Sequence, residues 1–127
     1  MFRGTNGKAF LAAAWFLAGI LPAYAHARLV ASAPEPNAMA ISAPAEIRLT
    51  FSEPMEPALT RVEVSVSGPY HEPIAIADMG PAADDPSVFV VHLAPQRLPD
   101  GLYTVVWKTE CVDGHKAAGS FAYDAMK

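Results

Sequence analysis

Glu46-Ile47-Arg48-Leu49-Thr50-Phe51 alternates polar and apolar residues without a break. Side chains on a strand point to opposite faces in turn, so this pattern predicts a strand with one buried and one wetted face. Pro54 and Pro57 end it, because proline has no N–H to give to a ladder. Arg61-Val62-Glu63-Val64-Ser65-Val66 repeats the pattern, and Ser67-Gly68-Pro69 reads as a turn. Pro73 to Ala77 is a weaker strand, and Gly80 to Pro86, with Asp84 and Asp85, reads as a loop. Val88 to Leu93 is strongly β-prone. Pro99-Asp100-Gly101 turns the chain into Leu102-Tyr103-Thr104-Val105-Val106-Trp107, which puts Tyr103, Val105 and Trp107 on one face. Gly119 to Tyr123 is the last strand, with Phe121 and Tyr123 sharing a face. Upstream, Arg28 to Ser32 is the first strand, and the Pro/Ala-rich Ala33 to Pro44 reads as a loop. Seven short strands at this spacing predict an all-β, seven-stranded Greek-key sandwich, immunoglobulin-like or cupredoxin-like.

The first residues have a different character. A short basic start (Arg3, Lys8) precedes an apolar run from Ala9 to about Ala23, and Ala23-Tyr24-Ala25 has the small-x-small form that a signal peptidase accepts. The run is short for a spanning helix, which needs roughly 20 apolar residues, so an uncleaved anchor is the alternative reading. Arg3 stands without a twin arginine, which favours the general export route. Residues 1–25 are then a signal peptide and residues 26–127 one domain, with a mature chain beginning at His26. Of 9 basic and 13 acidic residues, the leader holds two basic ones, so the mature domain is distinctly acidic. That balance argues against nucleic acid and anionic membrane surfaces as partners. The single cysteine, Cys111, excludes an internal disulfide, so packing must hold the domain together.

A mature chain starting at histidine offers two nitrogen donors on one tether, the free α-amine and the imidazole. Asp113-Gly114-His115 follows the Trp107 strand; in an extended segment Asp and His two apart point the same way and can reach one ion. Two imidazoles, an amine and a carboxylate form an N/O set without thiolate. Tetragonal N,O sites suit Cu(II), which outcompetes its first-row neighbours at most such sites. Zinc is the rival, with its preference for tetrahedral His/Cys sites.

The mature chain resembles the CopC family of periplasmic copper-binding proteins along nearly its whole length. The resemblance rests on His26-Ala27-Arg28-Leu29-Val30, Ser32-Ala33-Pro34, Ile47 to Pro54, Gly101 to Val105, Trp107, Asp113-Gly114-His115 and Gly119-Ser120-Phe121. It implies a Greek-key sandwich that binds Cu(II) through His26, Asp113 and His115, with Glu53 at or just outside the copper shell. It implies a periplasmic protein of copper resistance and homeostasis that sequesters copper or delivers it to an inner-membrane importer. No nucleophile–base pair or substrate cleft is visible in the 102 residues from His26, so a non-enzyme is expected, and a monomer. Some members hold Cu(I) in a methionine-rich loop around a histidine. Here Ser67 to Ile74 keeps His71 without the methionines, so a Cu(II)-only protein is expected.

Other residues have plainer readings. His71 and His92 read as edge or surface histidines, Met39, Met55 and Met79 as packing or loop residues, and Tyr103 and Trp107 as core. Cys111 shares strand parity with Asp113; it reads as a buried inert thiol, with capture or reduction of copper as the sharper alternative. Two other functions fit parts of the pattern. A histidine-brace oxidative enzyme would use the terminal histidine and a second His, and a sandwich for adhesion would use neither.

Overall fold

The structure is a computed structural model that describes residues 27–68 and 71–126. The expected signal peptide, residues 1–25, and His26 lie outside the described residues, as do Pro69, Tyr70 and Lys127. Nine strands are described: β1 (Leu29–Ala33), β2 (Met39–Ala40), β3 (Glu46–Phe51), β4 (Arg61–Ser67), β5 (His71–Ile74), β6 (Ile76–Ala82), β7 (Asp85–Leu93), β8 (Gly101–Glu110) and β9 (Lys116–Ala125). They form two sheets, one of order β1-β3-β7-β6 and one of order β2-β9-β8-β4-β5. The all-β, two-sheet architecture read from the sequence is present. The strand count is nine rather than seven, because one expected strand is divided and one expected loop holds a strand, while a second expected loop lengthens two others.

The expected weak strand Pro73–Ala77 is divided at Ala75, where the chain leaves one sheet for the other. Gln96 fastens the crossing. Its side-chain oxygen accepts from Ala75 N at 3.1 Å and its amide donates to Ala75 O at 2.9 Å. The backbone groups that leave the ladder thus keep partners. The expected loop Gly80–Pro86 is mostly a hairpin, β6 to β7, with its turn at Ala83-Asp84. Pro81 fits inside β6 because β6 is the outer strand of its sheet. The expected loop Ala33–Pro44 contains β2, which runs parallel to β9 and is pinned by Asn37 N to Ala122 O at 2.7 Å and Asp124 N to Ala38 O at 2.8 Å.

Alternation decides what fills the space between the sheets. Ile47, Leu49 and Phe51 of β3 face Val62, Val64 and Val66 of β4 and Tyr103, Val105 and Trp107 of β8, all buried. Burying a side chain of this size stabilises by roughly 1.5–3 kcal/mol relative to exposure. Phe51 meets Trp107 edge to face at 5.1 Å between ring centres, and Tyr103 stacks on Tyr123 at 5.4 Å. Trp107 lies against Gly119, where a Cβ would come within 2.7 Å of the indole. None of the described helical segments is long and apolar enough to cross a membrane.

This framework delivers three chain segments to one end of the sandwich. The start of β1 pairs with the end of β3, Leu29 opposite Phe51. The segment after β3 returns past β8 through a single bridge, Met55 opposite Cys111. The long β8–β9 hairpin keeps register from Gly101–Ala125 to Glu110–Lys116 and closes over residues 111–115.

Candidate metal centre

The hairpin tip is built by backbone hydrogen bonds. Cys111 N donates to His115 O at 2.8 Å and Gly114 N to Cys111 O at 2.9 Å. Gly114 takes φ 93°, a left-handed conformation that side chains disfavour. The Asp113 carboxylate closes the turn, accepting from His115 N at 3.1 Å and lying 3.0 Å from His115 Nδ1. Asp113 and His115 are therefore neighbours, as the sequence suggests, but for a different reason. Residues 112–115 form a turn rather than an extended strand, and an aspartate bonding its own backbone two residues on draws the pair together. These bonds from the His115 backbone and ring hold the Asp113 carboxyl below its ordinary 3.8. Both side chains are about half exposed.

Beneath the tip lies Cys111, 2 % exposed. Burial pushes its thiol pKa up, with Glu53 and Asp113 adding to the shift, while the Ala27 backbone N–H donates to the sulfur and works the other way. Glu53, in the segment after β3, completes a cluster: one donor atom from each of Glu53, Cys111 and Asp113 lies within 4.8 Å of the others. Metal–ligand bonds of about 2.0–2.3 Å place two donors on one ion no more than about 4.6 Å apart, so the spacing suits a single ion after small side-chain adjustments. The donor set is two carboxylates and a sulfur, with the His115 ring held on Asp113.

Residues 27 and 28 are fixed beside this cluster. Ala27 is 4 % exposed. Arg28 N donates to Ser52 Oγ at 3.1 Å, and Ser52 N donates to Arg28 O at 2.9 Å. Ser52 directly precedes Glu53. His26 itself, outside the described residues, is joined to an alanine whose backbone touches the Cys111 sulfur.

The other histidines are elsewhere. His71 is exposed on β5, the outer strand of the five-stranded sheet. His92 is on β7, with Nδ1 2.7 Å from Asp78 and Nε2 3.4 Å from Glu46. Cys111 is both things the sequence allowed: buried, and beside Asp113. Its parity with Asp113 was the one local signal available, and the approach of Glu53 from a distant segment had no local signal, although the family resemblance put Glu53 at or just outside the metal shell.

Comparison with known proteins agrees with this architecture. The CopC domain matches residues 29–125. Copper resistance protein C of Xanthomonas campestris pv. juglandis is 35% identical over 105 residues, 80% of each chain. The crystal structure of PcoC, a methionine-rich copper resistance protein from Escherichia coli, superposes with a TM-score of 0.69 at 29% identity, covering 80% of this chain and 99% of that one. The copper transport protein CutJ of Bacillus subtilis is 28% identical over 104 residues, 82% of this chain but only 19% of that protein. The domain match spans most of the chain, and the chain belongs to the CopC family.

Proposed function

We propose that this chain is an exported copper-binding protein of copper resistance and homeostasis, one that sequesters Cu(II) in the periplasm or hands it on without catalysing a reaction. Cleavage after Ala25 frees the His26 amine. Amine and imidazole then bind Cu(II) together with Asp113 and His115, and Glu53 orients the set or caps it. The ion is cargo. It must displace the proton of the amine, whose ordinary pKa is about 7.7–8.0, so affinity falls in acid.

The observation that carries this reading is the anchoring of residues 27 and 28. Ala27 is buried and Arg28 is hydrogen-bonded both ways to Ser52. Ala27, the residue next to His26, is thereby held at Cys111, and a terminus freed after Ala25 would begin one residue from that cluster. The names of the relatives support copper as the ion. CutJ supports delivery, since there a segment like this one is a fifth of a larger copper transport protein. An inner-membrane copper importer is the acceptor this arrangement favours.

Titration of the exported protein with Cu(II) tests the reading. One equivalent binds, and at a free concentration of a hundred times Kd the ion stabilises the fold by about 2.7 kcal/mol. His115→Ala and Asp113→Ala weaken both effects. Identical melting of apo and copper-exposed protein contradicts the reading.

A further inference from the structure

The cluster at the hairpin tip contains a donor that the N/O description of the site does not use. We propose that Cys111 is itself a copper ligand, and that its sulfur keeps the metal bound as Cu(I) after one-electron reduction. The inference rests on the copper site proposed above and deepens it.

Three observations carry it. Cys111 presents its sulfur within 4.8 Å of donor oxygens on both Glu53 and Asp113, groups that come from separate segments. The residue is 2 % exposed, its partner across the backbone bridge is Met55, itself 4 % exposed, and the carboxylates of Glu53 and Asp113 come near the sulfur. Cys111 cannot be consumed in a disulfide with this chain, which has no other cysteine. A sulfur enclosed in this way can meet a metal entering from the terminus without meeting a second thiol. On binding, the S–H proton leaves to solvent and a copper–sulfur bond forms.

The consequence concerns oxidation state. Amine, imidazole and carboxylate alone favour Cu(II) and release soft Cu(I), whereas thiolate retains it. An external one-electron donor such as ascorbate then converts bound Cu(II) to bound Cu(I), with the sulfur bond kept. The lack of methionines around His71 removes a separate Cu(I) site, but Cys111 supplies a soft donor at the first one. Cu(II) and Cu(I) would occupy the same place in turn.

The test uses the exported protein loaded with one equivalent of Cu(II) without oxygen. Wild type shows a thiolate-to-Cu(II) charge-transfer band and a copper–sulfur path in X-ray absorption, a readout that needs no variant. After ascorbate, a colorimetric Cu(I) chelator removes copper from Cys111→Ser at about a tenth of the chelator concentration that wild type requires, or less. Cys111→Ser and Cys111→Ala lose the band and the sulfur path and bind Cu(II) more weakly, while the nitrogen and oxygen donors still take up one equivalent. Absence of the band and of the sulfur path in copper-loaded wild type overturns the role of Cys111 and leaves the N/O site standing. Failure of wild type to take up Cu(II) at all overturns the site itself.

Discussion

The Asp113 carboxylate accepts a hydrogen bond from the His115 backbone N–H and sits 3.0 Å from its ring Nδ1, so one aspartate both folds the hairpin tip and aims the imidazole. A ring nitrogen held by a carboxylate fixes which nitrogen faces a metal and raises its basicity. Asp113→Asn keeps an oxygen for the turn and loses the charge. It lowers Cu(II) affinity by about 10–100-fold while leaving the melting temperature of the apo protein nearly unchanged. Calorimetric titration measures the first and thermal unfolding the second. Equal Cu(II) affinity in the two proteins contradicts this role.

A second prediction concerns the core. Tyr103 donates to Pro99 O at 2.6 Å, whereas the hydroxyl of Tyr123, fully buried against it, has no partner among the described residues. Burial drives the Tyr123 pKa far above the ordinary 10.0. A buried polar group without a bond destabilises, so Tyr123→Phe leaves stability unchanged or raises it by up to about 1 kcal/mol. Tyr103→Phe gives up a bond and loses about 0.5–1.5 kcal/mol. Chemical denaturation distinguishes them, and a marked loss in Tyr123→Phe contradicts the assignment.

The contact of Gly119 with Trp107 gives a third. The Cβ of an alanine would stand 2.7 Å from indole Cζ2 and 3.0 Å from Cε2, and the indole also packs edge to face with Phe51. Gly119→Ala therefore overpacks the site and destabilises by about 1–3 kcal/mol. Trp107 is the sole tryptophan after residue 25, so its emission reports unfolding directly. Wild-type stability in the variant contradicts the packing account.

His92 gives a prediction in pH. Its hydrogen bond to Asp78, helped by the charge of Glu46, raises its pKa above the ordinary 6.5 despite some desolvation. A group whose pKa is raised by folding stabilises fully below its unfolded value and loses that contribution as pH rises through the folded value. The effect is thus present below about pH 6.5 and disappears above it. NMR titration finds His92 titrating above 6.5 in wild type and closer to it in Asp78→Asn. No change in the variant contradicts the pairing.

The readable parts of the sequence were those where one strand face is buried. Ile47, Leu49 and Phe51, or Tyr103, Val105 and Trp107, announce their strands because alternation there is enforced by the core. β6 was hidden because, as an outer strand, it tolerates Pro81 and carries mostly exposed residues. β2 was hidden because two residues held by β9 leave no pattern. At the candidate site, Asp113 and His115 are two residues apart and were legible as a pair, though through a turn rather than strand alternation. Glu53 reaches Cys111 only because Met55 bridges to it across the sandwich end, and such a long-range pairing leaves no local trace.

The account turns on the free amine of His26, and electron paramagnetic resonance of Cu(II) tests it most directly. Mature protein beginning at His26 is compared with His115→Ala and with a form carrying one extra alanine ahead of His26. The account predicts a nitrogen-rich tetragonal signal for the first, altered as strongly by the added alanine as by His115→Ala, because either change removes a nitrogen ligand. An unchanged signal in the extended protein would contradict it.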